Sequence, residues 1–161
     1  EKFKTLSIAL SLDGIYEIND YVRYKSKWST VETVLDEWID FFADRHDKNG
    51  LKITSCINAY NVHQLPEMLK FAESKKMDLL FNIINGPKEL RLDALPQKYI
   101  DEIKDIFKDH NKLNSVYKYF DAQKSKINLV AMLKDYTKKM DTITGMNLRN
   151  YNSSLAKHLD I

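Results

Sequence analysis

Apolar residues change their spacing along this chain in a way that separates strands from helices. From Lys4 to Leu12, "KTLSIALSL" first alternates and then runs nearly continuously apolar, which predicts a buried strand. In "STVETVLDEWIDFFADRHDKNG", Val31, Val34, Leu35, Trp38, Ile39 and Phe42 recur at helical spacing and make one apolar stripe. Ser29 or Thr30 is the expected cap, because Glu32 follows Ser29 by the three residues of a capping box. Asn49-Gly50 is the expected end of that helix. "LKITSCINA", from Leu51, reads as the second strand. "QLPEMLKFAESKKM", from Gln64, reads as a second amphipathic helix with Pro66 in its first turn. "DLLFNIIN", Asp78 to Asn85, reads as a third strand stopped by Gly86-Pro87.

Strand, helix, strand, helix, strand at this spacing predicts βαβ units, with parallel strands and right-handed crossovers. Both faces of each strand look apolar, as a helix-covered parallel sheet requires. Beyond "NGPKELRLDALP" the pattern turns helical. "PQKYIDEIKDIFKDHNK", "SKINLVAMLKDYTKKMDTIT" and "NLRNYNSSLAKHL" are the expected helices, with stripes at Ile100, Ile103, Ile106, Phe107 and at Leu129, Leu133, Tyr136, Met140. Three strands cannot close a barrel, and a sheet this small would expose two long edges. With a first residue of Glu1, this suggests a piece of a longer protein. The expected fold is α/β: the C-terminal half of a partial barrel, residues 1–96, followed by a helical segment, residues 97–161.

Composition narrows the classes. The chain has 161 residues, 43% of them apolar and 30% charged, which fits one soluble globular domain. A chain of this length buries roughly 68–70% of its unfolded surface, enough for a real core. Residues 1–96 carry 13 basic and 15 acidic residues and residues 97–161 carry 12 and 8, so the helical tail is mildly basic. No basic run with interleaved aromatics stands out, and nucleic acid is disfavoured as a partner. No apolar run approaches ~18 residues, so no membrane partner is expected. The single cysteine, Cys56, excludes an intrachain disulfide and a multi-cysteine metal site, and fits a reducing, cytoplasmic setting.

Ligands of parallel α/β folds gather at the carboxyl ends of the strands. Those ends carry Ser11, Asp13 and Gly14, then Asn58 and Asn61, then Asn85, Gly86 and Pro87. Hydroxyl, carboxylate and amide groups on one rim suit a polyhydroxylated ligand such as a ribose. Arg23 has the fork to hold a carboxylate. Plainer roles stand beside these. Asp13 fits turn chemistry and Asn61 fits a helix N-cap. Cys56, in mid-strand, fits a packed core residue. His46, His63, His110 and His158 share no metal-ligand spacing and fit solvated or structural roles. Trp38, Phe41 and Phe42 fit core packing.

"SIALSLDGIYEINDYVRYKSKWSTVETVLDEWIDFF" resembles the fourth strand and following helix of radical S-adenosylmethionine enzymes, most closely the twitch/SPASM-related branch. That branch has a strand ending in Ser-x-Asp-Gly, then an Arg with small polar residues, then a Trp- or Tyr-led helix. "LKITSCINAYNVHQLPEMLKFA" resembles its fifth strand, with Asn61-Val62 and a Leu-Pro-Glu helix start, and "LLFNIINGPKELRLDALP" its sixth. "YTKKMDTITGMNLRNYNSSLAKHL" resembles its tail, with Thr144 in place of an Arg before Gly145.

The resemblance implies half of a six-unit (β/α) barrel that forms part of the S-adenosylmethionine and substrate cavity. It implies that Ser11 and Asp13 contact the ribose or methionine part of the cofactor, that Arg23 clamps its carboxylate, and that Asn61 and Asn85 form the far wall near adenine. The family's [4Fe–4S] cluster is held by C-x3-C-x2-C, which is not in this chain, so oxidoreductase chemistry would need residues upstream. The substrate is unknown, with a peptide implied by analogy. Two rivals remain: a degenerate half-barrel acting as a protein interaction module, and an ordinary (β/α) enzyme with a phosphorylated substrate. The latter is disfavoured by the absence of a Gly-rich phosphate loop.

Overall fold

The computed structural model describes residues 5–43 and 50–161. The expected strand start at Lys4, the helix end at Asn49 and His46 lie outside the described residues. The elements are β1 (Ile8–Ser11), α1 (Tyr16–Val22), α2 (Trp28–Ala43), β2 (Leu51–Ile57), α3 (Leu65–Ser74), β3 (Asp78–Ile83), α4 (Gln97–Phe107), α5 (Asn114–Ala122), α6 (Ile127–Thr144) and α7 (Ser153–Leu159). The fold is α/β with a three-stranded parallel sheet, in the order β1-β2-β3. The chain forms two compact units, Glu1–Cys56 with Glu67–Asn82, and Ile57–Pro66 with Ile83–Ile161.

In the first unit, β1 and β2 pair in parallel from Ile8↔Leu51 to Ser11↔Thr54. Strand alternation then sorts the side chains by face. Ile8, Leu10, Leu51, Ile53 and Leu79 join one core with Trp28 and Leu35 of α2 and Met68 and Phe71 of α3. The other face carries Ala9, Ser11, Cys56, Leu80 and Asn82, all exposed. The expectation that both faces are apolar and covered is therefore corrected: one face is covered, and the other is exposed and mixed, with Leu80 and Ala9 beside polar Ser11 and Asn82. Cys56 falls on the exposed face instead of in the core, because it stands one step out of phase with buried Ser55 and Ile57. Phe41, half-exposed on α2, likewise stands outside the core that its neighbour Phe42 joins.

Helix α2 begins one residue before the expected cap. The amides of Thr30 and Val31 donate to the Lys27 carbonyl, so Ser29 lies inside the first turn and the capping box does not form. Trp28 is buried and stacks edge-on with Phe71, with ring centroids 5.5 Å apart. Apolar burial of the ring favours this entry, offset in part because its Nε1 is buried without a hydrogen-bond partner. Gly50 is needed for close approach, since a Cβ there would lie 2.7 Å from the Leu6 carbonyl oxygen and against the Phe42 ring.

In the second unit, α4 buries Tyr99, Ile100, Ile103 and Phe107, while α6 buries Leu129, Leu133 and Thr137. The stripe expected on α4 holds apart from Ile106, which is exposed. Asp93 is buried and bonded by Arg91 Nη2 at 2.7 Å and Lys126 Nζ at 2.9 Å. Burial works to raise its carboxyl pKa, but the bonds from Lys126 and Arg91 outweigh it and hold the group below the ordinary carboxylate value. The expected helix from Asn147 divides in two. Asn147 accepts from the Arg149 amide, and Asn152 caps α7 by accepting from the Leu155 amide at 3.0 Å. Among the described residues no helix is long and apolar enough to cross a membrane.

Candidate functional site

The carboxyl end of β1 carries a compact polar cluster within the first unit. After Ser11 the strand stops, and Asp13-Gly14-Ile15 leads into α1. Two turns of α1 then bring the chain back. Arg23, at the C-terminal end of α1, donates its amide to the Asn19 carbonyl at 2.8 Å. Asn19, buried, donates from its side chain to Ser26 Oγ at 2.9 Å and pins the loop that follows.

From that position the Arg23 guanidinium faces Asp13. Its Nε and Nη2 donate to Asp13 Oδ2 at 3.1 and 2.9 Å, and Nη2 also donates to Ser11 Oγ at 2.8 Å. The other carboxylate oxygen, Oδ1, accepts from the Cys56 amide at 2.8 Å. The register explains that last bond. Ser11 pairs with Thr54, so Asp13 comes level with Cys56 two residues further on. The carboxylate thus gives the β2 amide an acceptor just past the last paired residue. One side chain joins the end of β1, the middle strand and the end of α1. The Cys56 contact depends on register, which the sequence does not reveal.

The asparagines serve otherwise. Asn61 is fully buried, and its Oδ1 accepts from the Asn58 amide at 2.8 Å. Asn58 Oδ1 in turn accepts from the Tyr60 amide at 2.9 Å. Together they close the turn after β2. Asn61 also occupies the N-cap position of the Val62–Gln64 turn, without a side-chain cap bond. Asn85 is an exposed residue of the second unit, beyond β3. The structure thus brings Ser11, Asp13 and Arg23 together, and commits Asn61 to local turn geometry.

A second polar network, in the second unit, was not marked by any sequence motif. Asn152 donates through Nδ2 to His63 Nδ1 at 3.0 Å and to the Tyr99 hydroxyl at 2.8 Å. Its orientation is set by the Leu155 amide on Oδ1, so His63 Nδ1 is an acceptor and the ring is held neutral. Burial lowers the His63 pKa from 6.5 to about 4, partly offset by a bond to the Tyr60 backbone. Burial also raises the Tyr99 pKa. Both groups stay uncharged near neutrality, in a structural role. Among the described residues no group of three His, Cys, Asp or Glu side chains stands ready to hold a metal ion.

No family model matches the chain, and neither does any curated protein or solved structure.

Proposed function

We propose that this chain forms part of the S-adenosylmethionine and substrate cavity of a radical S-adenosylmethionine enzyme, as three units of a partial (β/α) barrel with a helical segment after them. The observation that carries the reading is the gathering of Ser11, Asp13 and Arg23 at the carboxyl end of β1. The uncovered sheet face supports it, because an exposed face that mixes apolar Ala9 and Leu80 with polar Ser11 and Asn82 suits the wall of a ligand cavity.

The donor set fits the cofactor's methionine end in part. The Arg23 side chain is 39% exposed, and Ser11 stands on the uncovered face. Two guanidinium nitrogens, Nε and Nη2, are already held by Asp13 and Ser11, which leaves Nη1 for a ligand carboxylate. In this reading Arg23 is one point of attachment and Asp13 orients it, with Ser11 adding a hydroxyl. Bound with its cluster, the cofactor would supply a hydrogen-abstracting radical. A chain with one cysteine does not fit a [4Fe–4S] cluster, so the cluster belongs to polypeptide other than these residues. The proposed substrate is a peptide or other ribosomal product, by analogy with the resembled family.

The test is titration of the chain with S-adenosylmethionine by ligand-observed NMR, using Arg23→Ala and Ser11→Ala beside the wild type. Binding should be weak without the cluster, and weakened more by Arg23→Ala than by Ser11→Ala, because a charge-assisted bond is about twice as strong as a neutral one. Arg23→Lys should restore part of the loss, since an ammonium lacks the planar fork that holds Asp13 and Ser11 while leaving Nη1 for the ligand. Equal affinities for wild type and Arg23→Ala would end the proposal.

A further inference from the structure

Arg23 is held by its backbone as well as by its side chain. Helix α1 ends at Arg23, whose φ of −111° and ψ of 76° leave the helical region. Its amide donates to the Asn19 carbonyl and its carbonyl accepts from the Ser26 amide, both at 2.8 Å. Ser26 Oγ in turn accepts from Asn19 Nδ2 at 2.9 Å. These bonds close a ring from Asn19 to Arg23 to Ser26 and back to Asn19. The turn inside the ring does not hold itself. Lys25 takes a left-handed φ of 70°, which a residue other than glycine adopts only under constraint from its surroundings.

The side chain that closes the ring is unfavourable for folding. Asn19 is fully buried. Its Nδ2 also donates to Asp20 Oδ1 at 3.3 Å, and a carboxylate only accepts, which fixes the orientation of the amide. Asn19 Oδ1 is then left buried with no hydrogen-bond partner among the described residues. Leucine, branched at Cγ like asparagine, would occupy this place without an orphaned acceptor. What asparagine adds there is the bond to Ser26.

We infer that Asn19 is a positioning residue for the rim arginine: acting through Ser26, it fixes the backbone from which the guanidinium reaches Asp13 and Ser11. Asp13 sets the far end of the Arg23 side chain and Asn19 sets the near end. Nε and Nη2 can both stay on Asp13 Oδ2 only while the Arg23 backbone keeps its place. The consequence for ligand binding rests on the cofactor reading, whereas the positioning itself does not.

The experiment follows the Arg23 Nε–Hε signal of the isotope-labelled whole chain by NMR, assigned by its loss in Arg23→Lys. In the wild type this proton should exchange with water at least about tenfold more slowly than in free arginine, because it is bonded to Asp13. Asn19→Leu and Ser26→Ala should each cut that protection about fivefold or more, while the buried amides of Leu35 and Ile53 keep theirs within about twofold. Ser26→Thr, which retains the hydroxyl, should keep the wild-type protection. Asn19→Leu should melt within about 4 °C of the wild type or above it, since it removes an orphaned acceptor. A residue that only supports the fold would lower the melting temperature and leave the Arg23 signal in place. Ser26 is half-buried, so Ser26→Ala decides the matter even where Asn19→Leu does not fold. Unchanged Arg23 protection in Ser26→Ala would overturn the inference, as would a loss of core protection equal to that at Arg23. Titration with S-adenosylmethionine separates this inference from the proposed function. A wild type that binds should lose about threefold or more in affinity with Ser26→Ala and nothing with Ser26→Thr. A wild type that does not bind would end the cofactor reading alone, and the exchange measurement still decides the role of Asn19.

Discussion

Neutral His63 makes the stability of the second unit depend on pH in a window set by one residue. In the unfolded chain the imidazole takes up a proton near pH 6.5, whereas in the folded chain burial postpones this to about pH 4. Between those values the unfolded state binds more protons, so stability rises with pH and falls as pH drops. Above about pH 6.5 the effect is absent. At about 1.36 kcal/mol per pH unit, going from pH 7 to pH 4.5 should remove between about 2 and 3 kcal/mol. The diagnostic variant is His63→Asn, whose side-chain oxygen keeps an acceptor for Asn152 without a titrating ring. Other groups also titrate in this range, so the quantity to follow is the difference between wild type and variant. Urea unfolding at intervals of half a pH unit gives it. Wild type should be the more stable protein at pH 7.5, and its advantage should shrink steadily below pH 6.5. A difference constant within about 0.5 kcal/mol from pH 4.5 to 7.5 would refute the reasoning, as would an imidazole titrating near pH 6.5 by NMR.

Two further perturbations test the first unit. Asp13→Ala and Arg23→Ala should be non-additive, with a coupling of about 1–2 kcal/mol, since they remove the same bonds and Arg23 is partly screened by water; a double-mutant cycle that sums within about 0.3 kcal/mol would dismiss the pair as an energetic unit. Gly50→Ala should lower the melting temperature by at least about 4–8 °C, the equivalent of about 2 kcal/mol in a chain of this size, because the new methyl meets the Leu6 carbonyl and the Phe42 ring; an unchanged melting curve would show that the β2 entry relaxes freely.

The three strands and the helices α2, α3, α4 and α6 were legible because each turns an alternating or helical stripe towards a core, although α6 buries Thr137 where Tyr136 and Met140, both half-exposed, were expected. Two helices were not. α1 buries Ile18, Asn19 and Tyr21. A buried asparagine interrupts its stripe, and Ile15 stands at its N-cap without a side-chain bond. α5 buries Val116 and Phe120, a single i, i+4 pair among polar residues. Both are short, and short helices depend on tertiary packing more than on their own propensity. The cap expected at Ser29 or Thr30 was displaced for a related reason, since the helix opens at Trp28, whose ring packs into the tertiary core. The exposed sheet face was hidden by a different ambiguity. In "SIALSL" and "DLLFNI", alanine and leucine on the open face read like core residues, and period alone does not say which face is covered.

At the site, the ten-residue interval between Asp13 and Arg23 was visible, but its meaning depended on what lies between them. An extended segment would carry Arg23 far from β1, whereas the α1 turns return it to the strand end. The sequence also left open whom the arginine serves. Arg23 gives its Nε and Nη2 to Asp13, so the clamp expected for a ligand is first a clamp within the protein. The two roles need not compete. Asp13 is held on its other side by the Cys56 amide, which fixes the carboxylate and through it the guanidinium plane. A long side chain that is 39% exposed would otherwise lose most of its orientation to rotamer entropy. Under the proposed function, Nη1 held in this way is oriented before a ligand arrives, and the cost of ordering it is met during folding. In the proposed reading, the Asp13 pairing offsets the Arg23 charge, so attraction of a ligand carboxylate would rest on short-range hydrogen bonding more than on long-range field, and its affinity should depend only modestly on ionic strength.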